Sequence, residues 1–357
     1  MKKIKRKNRD NSIIKALTDA QKLIFAPLAF QAVAALLDFG IMDFIDKTPA
    51  SENEIIEKLN LDEYTVKTLL QIGILNNLIQ KSGEVYSLTR TGGVFLYDEM
   101  TKVNFNYIRD LCYLGAGELV KSFKTGKPEG LHKYIGNYPT IYPAITALPE
   151  KLKQHWYEFD HFYSDNCFDE VYEIITKKYN KICDIGGNTG RFEKVCLGHN
   201  KNIDITMFDL KENIETIEKD AGLQKCKFQA INVLDKNPNY PEMNNCAVFM
   251  SQFLDCFSKK DIKKILADLK NTIDENSAIY ILEPYTDRQK FEAAEYSLCH
   301  ASLYFTCMAN GVSKFYTFEE MKNIIESAGL YITNCINDIG SFNYTLLECR
   351  KNAVVSN

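Results

Sequence analysis

The chain has 357 residues, of which 45% are hydrophobic and 25% charged, the balance of a globular protein. The length favours two domains. A formal net charge of −4 argues against a nucleic-acid-binding protein, which would carry a basic excess on at least one domain. No apolar run approaches the roughly 20 residues of a membrane span, and charged residues recur as far as Asp19, which excludes a signal peptide.

The 11 cysteines are scattered singly, without a C-x-x-C pair, and histidine occurs only 5 times. This pattern predicts no metal site. An odd number of thiols in a chain without an export signal is typical of a reduced protein. We therefore expect a cytoplasmic protein with no metal, no nucleic-acid partner and no membrane partner.

The first part of the chain predicts a helical module behind a disordered basic tail at residues 1–11. Within residues 12–100, Ser51–Glu54 forms a capping-box pattern. Residues 78–88 predict two short strands around a Ser-Gly turn. This order of helices followed by a hairpin predicts a winged-helix domain.

The first helix of this module is unusually apolar. Pro27 fits the first turn of a helix, and the stretch Leu28–Ile45 is rich in Ala and Leu. Its apolar residues occupy more than one face, so we expect it to be buried between helices or in a subunit interface.

Residues 101–170 predict a helical connector interrupted by glycines and prolines. In residues 171–357, β-prone runs then alternate with helical stretches. This alternation predicts a Rossmann-like, doubly wound α/β sheet, mostly parallel with an antiparallel last strand. The predicted strands are Lys181–Ile185, Ile203–Phe208, Lys227–Val233, Ala247–Phe253, Ala278–Leu282, Leu330–Cys335 and Asn343–Cys349.

The sharpest pattern is the loop from Asp184 to Gly190, which lies where a predicted strand ends and a helix begins. Its glycines Gly186, Gly187 and Gly190 allow a tight turn and a close approach of backbone to ligand. The helix N-terminus would suit a pyrophosphate, but the carboxylate of Asp184 would repel it. The same carboxylate would attract a sulfonium and an ammonium group. The loop therefore favours S-adenosylmethionine (SAM) over NAD, with S-adenosylhomocysteine (SAH) as product.

Later strand ends add to this prediction. Asp209 ends the second predicted strand about 20 residues after the glycines, where an acid takes up ribose hydroxyls. Asn232 and Val233 end the third strand and are placed to hold an adenine by hydrogen bond and apolar contact. The agreement of these positions favours a cofactor site over a structural turn.

Five motifs together resemble the winged-helix-containing O-methyltransferases that act on small phenolic molecules, including plant, bacterial polyketide and acetylserotonin methyltransferases. The resemblance covers nearly the whole chain. The motifs are a linker at Phe123–Pro128, the glycine loop, Glu283-Pro284, Met308–Gly311 and Glu326–Leu330.

The resemblance implies a class I SAM-dependent methyltransferase, a small-molecule acceptor and a homodimer formed through the N-terminal domain. It implies that SAM is bound by Asp184, Gly186, Gly187, Gly190, Asp209, Leu210, Asn232, Val233, Ser251 and Gln252. It implies an acceptor pocket lined by Trp156, Phe159, Phe162, Tyr163, Tyr304, Met308 and Asn310. The family usually has an acid at the position of Asn232, whose amide can also accept from an adenine amino group.

The sequence departs from the family at the general base. The family pattern after the fourth strand is Leu-His-x-Trp, and here Asp255 stands at the histidine position, in Phe253–Phe257. The carboxylate that orients the family's histidine is also absent. Burial could raise the pKa of Asp255 enough for it to accept a phenol proton. Alternatively, Asp255 is a helix N-cap near Lys259 and Lys260.

Two histidines are further candidates for the base. His300 lies on a predicted helix that would border the acceptor pocket, and His161 lies on the aromatic helix before the Rossmann-like domain. Each is also consistent with a packed or hydrogen-bonded structural histidine.

Three functions remain open on the sequence. The first is O-methylation of a small phenolic acceptor. If the acceptor ionises by itself, this reaction needs no general base, and the enzyme supplies proximity alone. The second is a SAM-binding protein that methylates nitrogen or carbon, or transfers no methyl group. The third is a winged-helix regulator, whose recognition helix at residues 63–76 has Lys67 as its only basic residue.

Overall fold

A computed structural model describes residues 13–352 and divides the chain into two compact units, Met1–Asn104 and Phe105–Asn357. The basic tail predicted at residues 1–11 lies outside the described residues. The sequence places a domain boundary at residue 100 and a separate connector at residues 101–170. In the structure, everything from Phe105 onward belongs to one unit.

The first unit contains five helices and a three-stranded antiparallel sheet of order β1-β3-β2 among its described residues. The helices are α1 (Ile13–Asp38), α2 (Ile41–Lys47), α3 (Glu52–Leu59), α4 (Glu63–Leu75) and α5 (Arg90–Tyr97). The strands are β1 (Ala50–Ser51), β2 (Ile79–Ser82) and β3 (Val85–Leu88).

Local sequence explains these boundaries. The capping box predicted at Ser51 and Glu54 is present and begins α3. The predicted hairpin is also present, with β2 and β3 paired around Gly83, whose positive φ of 61° suits glycine. Strand β1 was not predicted from the sequence, because two residues give no periodic pattern.

Helix α4, the recognition helix of the regulator hypothesis, offers little to a phosphate. Its single lysine, Lys67, contacts both Glu63 and Glu52 in the structure. Its side-chain charge is therefore balanced by neighbouring carboxylates, which disfavours nucleic-acid binding.

Two predictions about α1 are wrong. The helix runs through Pro27 instead of beginning there. The sequence also predicts no apolar run long enough to span a membrane, but the 26 residues of α1 include an 18-residue window of mean hydropathy 1.5. By length and composition this window could cross a membrane, and 17% of it is buried. The sequence does not show the apolar length of this helix plainly, because the charged residues Lys15, Asp19 and Lys22 interrupt its first half. The buried positions are Ala32, Val33, Ala34 and Leu36, all in its last turns.

The second unit carries the remaining helices and a seven-stranded sheet; α6 begins just before the division. The helices are α6 (Glu99–Tyr107), α7 (Leu119–Thr125), α8 (Glu129–Tyr134), α9 (Glu150–Ser164), α10 (Phe168–Thr176), α11 (Arg191–His199), α12 (Lys211–Ile217), α13 (Lys259–Thr272), α14 (Glu292–Tyr304) and α15 (Phe318–Ser327). The strands are β4 (Lys181–Ile185), β5 (Asp204–Asp209), β6 (Lys227–Ala230), β7 (Ala247–Ser251), β8 (Ala278–Glu283), β9 (Tyr331–Ile339) and β10 (Tyr344–Arg350).

The large sheet has the order β6-β5-β4-β7-β8-β10-β9, with β10 antiparallel to both of its neighbours. Strands β4 to β8 pair in parallel. Successive side chains of one strand enter hydrophobic clusters on opposite faces of the sheet, as Ile182 and Cys183 do. The doubly wound, mostly parallel sheet with an antiparallel last strand is therefore confirmed, and the carboxyl ends of β4, β5 and β7 meet at one edge.

The adjacent glycines Gly92 and Gly93 on α5 provide a matched test of packing in the first unit. A Cβ at Gly92 would overlap the carbonyl oxygen of Leu78, whereas a Cβ at Gly93 meets nothing within 4 Å. We expect Gly92→Ala to destabilise the protein by roughly 1–3 kcal/mol. Gly93→Ala should stabilise α5 by up to about 1 kcal/mol, because alanine is the better helix former. Thermal unfolding of both variants decides this; equal melting temperatures would contradict the packing shown for α5.

Candidate active site at the carboxyl edge of the sheet

The glycine loop has the backbone that the sequence pattern predicts. Gly186 and Gly190 have φ of 83° and 70°, in the left-handed region that favours glycine. A Cβ on Gly186 would overlap the ring of Phe253, and one on Gly187 would lie 2.8 Å from Glu193 Oε1. The loop therefore packs closely on Phe253 and Glu193, and its backbone faces the carboxyl edge of the sheet.

Asn188 joins this loop to its surroundings. Its backbone N–H donates to Asp209 Oδ2 at 3.0 Å, and its carbonyl accepts from Asn213 Nδ2 at 2.9 Å. Its own side-chain amide donates to Asp160 Oδ2 at 2.8 Å. The second oxygen of Asp209 accepts from the N–H of Leu210 at 2.6 Å. The predicted cofactor residues Asp209 and Leu210 thus lie directly beside the loop.

Asp184 is buried rather than open to a cofactor. It lies beside Glu193, which is also buried, and a Cβ on Gly187 would lie 2.9 Å from Asp184 Oδ2 and 2.8 Å from Glu193 Oε1. Burial raises the pKa of Asp184 well above its ordinary value and that of Glu193 to about 7. Asp184 and Glu193 therefore form a buried carboxyl pair under the loop, and we expect them to share one proton near neutral pH.

Sequence reasoning missed Glu193, although a signal was present. The buried residues of α11 are Phe192, Glu193, Cys196 and Leu197. Their spacing places Glu193 on the apolar face of the helix, and a carboxyl group on such a face needs a partner.

The ends of β6 and β7 position the other predicted cofactor residues. Val233 is buried in the core, whereas Asn232 is exposed and its Oδ1 accepts from the N–H of Leu234 at 3.0 Å. Ser251 Oγ and Gln252 Nε2 are buried atoms without a hydrogen-bond partner in the described part of the chain. Ser251 is the last residue of β7 and Gln252 follows it, so both unpartnered groups lie at the carboxyl end of the strand and are free to bind a polar ligand.

Asp255 lies in a short 3-10 turn after β7 and is 4% exposed. It is not the N-cap of α13, because Ser258 fills that position and accepts from the N–H of Asp261. Burial raises the pKa of Asp255 to about 7, and Cys256 Sγ donates to its Oδ1 at 3.4 Å. The turn therefore presents a buried carboxyl group whose pKa suits a general base at neutral pH.

Three side chains hold this turn in place. Glu283 Oε1 accepts from the N–H of Leu254 at 2.9 Å. Asn310 Nδ2 donates to the carbonyl of Cys256 at 2.9 Å, and Tyr316 donates to that of Phe257 at 2.7 Å. Asn310 also uses its Oδ1 to accept from the N–H groups of Val312 and Ser313. The acceptor contact predicted for Asn310 is thus replaced by a structural role, because its amide is fully occupied by protein.

An aromatic cluster packs beside the turn. Trp156 Nε1 donates to the hydroxyl of Tyr304 at 2.9 Å, and Phe159 stacks on Tyr107 with ring centroids 3.8 Å apart. Cys256 packs against the same cluster. The structure therefore brings the predicted pocket residues Trp156, Phe159 and Tyr304 together.

Of the other predicted pocket residues, Met308 belongs to the same hydrophobic cluster and Tyr163 contacts Phe159, whereas Phe162 packs on Tyr163 and Phe342. Phe162 and Tyr163 pack against Phe342, between β9 and β10. Met308 is buried and packs on Gly115, where a Cβ would overlap its sulfur. Long-range packing decided these directions, which the helical spacing of the aromatic residues could not show.

No hydrogen bond or ion pair joins either histidine candidate to Asp255 among residues 13–352. His300 is exposed, stacks on Tyr296 and bonds to the Tyr296 carbonyl through Nδ1 at 2.8 Å. His161 stacks on Tyr157, and its Nε2 lies 3.4 Å from Thr189 Oγ1 in the glycine loop. The structure thus leaves Asp255 as the candidate base at the turn and places His161 beside the loop.

No cluster of three or more metal-ligating side chains occurs among residues 13–352. The site is therefore built from glycine backbone, carboxyl groups and aromatic rings.

Residues 163–331 match the family model described as an O-methyltransferase domain. This region of the chain is therefore similar to an O-methyltransferase domain. O-methyltransferase 7 of Dictyostelium discoideum is 21% identical over 268 residues, which cover 71% of this chain and 73% of that protein. The N,N-dimethyltransferase OxyT of Streptomyces rimosus is 21% identical over 283 residues, 76% of this chain and 80% of that protein.

Solved structures share the fold over nearly the whole chain. Human N-acetylserotonin methyltransferase, solved in complex with SAM, superposes with a TM-score of 0.63 at 16% identity. The match covers 97% of this chain and 100% of that one. The chain therefore has the Rossmann-like methyltransferase fold predicted from its sequence.

The carboxyl pair under the loop predicts a pH-dependent stability. A carboxyl group whose pKa is raised in the folded state stabilises the protein at low pH, and this contribution is lost as the pH rises through the folded pKa. For Glu193 the window runs from its ordinary value near 4.5 to about 7. We expect Glu193→Gln to raise stability at pH 8 by roughly 1–3 kcal/mol, because the amide can donate to ionised Asp184.

Thermal unfolding of both proteins at pH 5 and pH 8 measures this effect. The gain should be larger at pH 8 than at pH 5. An equal change at both pH values would show that the two carboxyl groups do not share a proton.

Proposed function

We propose that this protein is a SAM-dependent methyltransferase that methylates a hydroxyl oxygen of a small aromatic molecule, with Asp255 as general base. The observation that carries the proposal is the meeting of the glycine loop, Asp209 and the buried Asp255 at one edge of the sheet. The O-methyltransferase domain match and the shared fold support the same reaction class.

The residues of the site fit SAM. The glycine loop packs on Phe253, Glu193 and Leu223 with no room for side chains on that side, and Asp209 provides a carboxylate for ribose hydroxyls. Ser251 Oγ and Gln252 Nε2 are unpartnered groups for further polar contacts. The pair of Asp184 and Glu193 gives the loop a negative potential that favours a cation. SAM, when bound, supplies the methyl group on a positively charged sulfur.

Asp255 would remove the acceptor proton. SAM would supply the methyl carbon for the new bond to the acceptor oxygen and would keep the electron pair of its carbon–sulfur bond, and Asp255 would take the hydroxyl proton. The raised pKa of about 7 makes this carboxylate a stronger base than an exposed aspartate. Glu283, Asn310 and Tyr316 keep the turn fixed during the transfer.

The aromatic cluster supports an aromatic acceptor. Trp156, Phe159 and Tyr304 adjoin the turn and provide apolar surfaces with edges and faces suited to ring contacts. These residues would orient the acceptor hydroxyl toward Asp255.

Cofactor binding is tested first by calorimetric titration with SAM, SAH and NAD. We expect micromolar affinity for SAM and SAH, weakened at least tenfold by Asp209→Ala, which removes the carboxylate beside the loop. Asp204→Asn is the matched control, because Asp204 lies at the opposite end of β5 and pairs with exposed Lys227. Binding of NAD alone, or of none of the three, would exclude the proposed reaction.

Asp255→Asn tests the general base. We expect kcat to fall by roughly 10²–10⁴ with SAM affinity unchanged, because the amide keeps the shape but cannot accept the proton. In the native enzyme kcat/KM should rise with pH through about 7, as Asp255 ionises, and this limb should disappear in the variant. A rate unchanged by the substitution would show that the acceptor ionises unaided.

We infer further that the first unit is a winged-helix module that forms a homodimer and that the enzyme works in the cytoplasm. Helix α1 supports the dimer, since many large apolar side chains lie exposed along it: Ile13, Ile14, Leu17, Leu23, Ile24, Phe25 and Leu28. A surface of this kind is typical of a protein interface.

Light scattering tests the dimer at micromolar concentration. We expect the native protein to be a dimer and Ile24→Asp/Leu28→Asp to shift it toward monomer, because buried charges oppose association. Lys15→Ala, on the same helix, is the control. A monomeric native protein would contradict the proposal.

A further inference from the structure

Three carboxyl groups converge at the turn that carries the candidate base. Asp255 is 4% exposed and Glu283 is 2% exposed, and Glu283 Oε1 accepts from the N–H of the residue before Asp255. Asp160 on α9 lies close enough for its charge to raise the pKa of Asp255. We call Asp160, Asp255 and Glu283 the carboxyl cluster.

Asp160 occupies a defined position between the two halves of the site. Its Oδ2 accepts from Asn188 in the glycine loop, at 2.8 Å. One turn earlier on the same helix, Trp156 donates to Tyr304 in the aromatic cluster, and Phe159 stacks on Tyr107. Asp160 therefore lies where the loop, the aromatic cluster and the base turn meet.

The cluster has free acceptor capacity. Glu283 Oε2 is a buried oxygen without a hydrogen-bond partner in the described part of the chain. Asp160 Oδ1 takes no hydrogen bond from any of residues 13–352, and Asp160 keeps part of its surface accessible. Burial raises the pKa of Glu283 well above its ordinary value and that of Asp160 only to about 6, so Asp160 is the member that carries most charge near neutral pH.

No lysine or arginine among residues 13–352 forms an ion pair with the cluster. The groups that face Asp255 are neutral or acidic, namely Asp160, Glu283, Cys256, Tyr142, Tyr316 and Tyr344. Near Asp160, the charged form of His161 is the favourable neighbour, but its ring lies against Thr189 and Asp165. A partly buried carboxylate oxygen is stabilised by a cation or a donor that contacts it, and none of residues 13–352 contacts Asp160 Oδ1 in this way.

We propose that Asp160 selects a methyl acceptor that carries a basic amine in addition to the hydroxyl group that is methylated. The ammonium group would bind Asp160 Oδ1 and pack against the neighbouring aromatic rings, which also attract cations. Asp255 would remain the base for the hydroxyl. This inference rests on the proposed function and names the acceptor class for the same site.

The direct test compares matched ligands by calorimetry on the SAH-saturated protein. Tyramine carries an ammonium group, and 4-propylphenol has the same shape without a charge. We expect tyramine to bind at least tenfold more tightly. Its binding should also release protons at pH 7, because a nearby cation lowers the pKa values of Asp160 and Asp255, now about 6 and 7. Titration in two buffers of different ionisation enthalpy measures this release.

Asp160→Asn should reduce the preference for tyramine to less than threefold and leave SAH affinity within threefold. Its amide oxygen can still accept from Asn188, so the loop keeps its hydrogen bond. Glu150→Gln is the matched control on the same helix, because the exposed Glu150 contacts Lys153 rather than the cluster. This control should keep the full preference.

The outcomes separate the two proposals. Equal binding of both phenols, or a preference that survives Asp160→Asn, overturns the amine inference. Methylation of neutral phenols with SAM would still uphold the proposed function in that case. Selective tyramine binding without methyl transfer to any phenol would instead uphold the recognition site and remove the proposed reaction.

Discussion

The active site depends on the contact between Phe253 and Gly186. The ring of Phe253 fills the space that a side chain at Gly186 would need, so the glycine loop and the turn after β7 are packed directly together. Because β4 and β7 are neighbours in the parallel sheet, both segments leave the same edge. This one contact fixes the cofactor loop relative to Asp255, and every proposed step requires that relation.

Hydrogen bonds extend this arrangement in two directions. Asn188 connects the loop to Asp209 on one side and to Asp160 on the other. Glu283 and Asn310 connect the base turn to β8 and to the segment after α14. The functional side chains thus stand on rigid elements, which is what a transfer reaction controlled by proximity requires.

Charge is distributed unevenly over the site. Asp184, Glu193, Asp209, Asp160, Asp255 and Glu283 are all acids with raised pKa values, and burial is the largest cause for each. A site of this kind stabilises positive charge near the loop and the turn. A sulfonium cofactor and an ammonium-bearing acceptor both suit that potential, while a pyrophosphate cofactor does not.

The sequence by itself determined the order of the strands along the chain, the glycine loop and the class of cofactor, because these depend on local periodicity, on glycine conformations and on residues at strand ends. It also located Asp255, through the resemblance to the family pattern that follows the fourth strand of the domain. It could not show that Asp184 pairs with the buried Glu193, that Asn310 holds the turn, or that Asp160 reaches the loop. These relations join residues far apart in the chain or on facing elements. Only tertiary packing decides which side chains meet there, and burial then sets their pKa values.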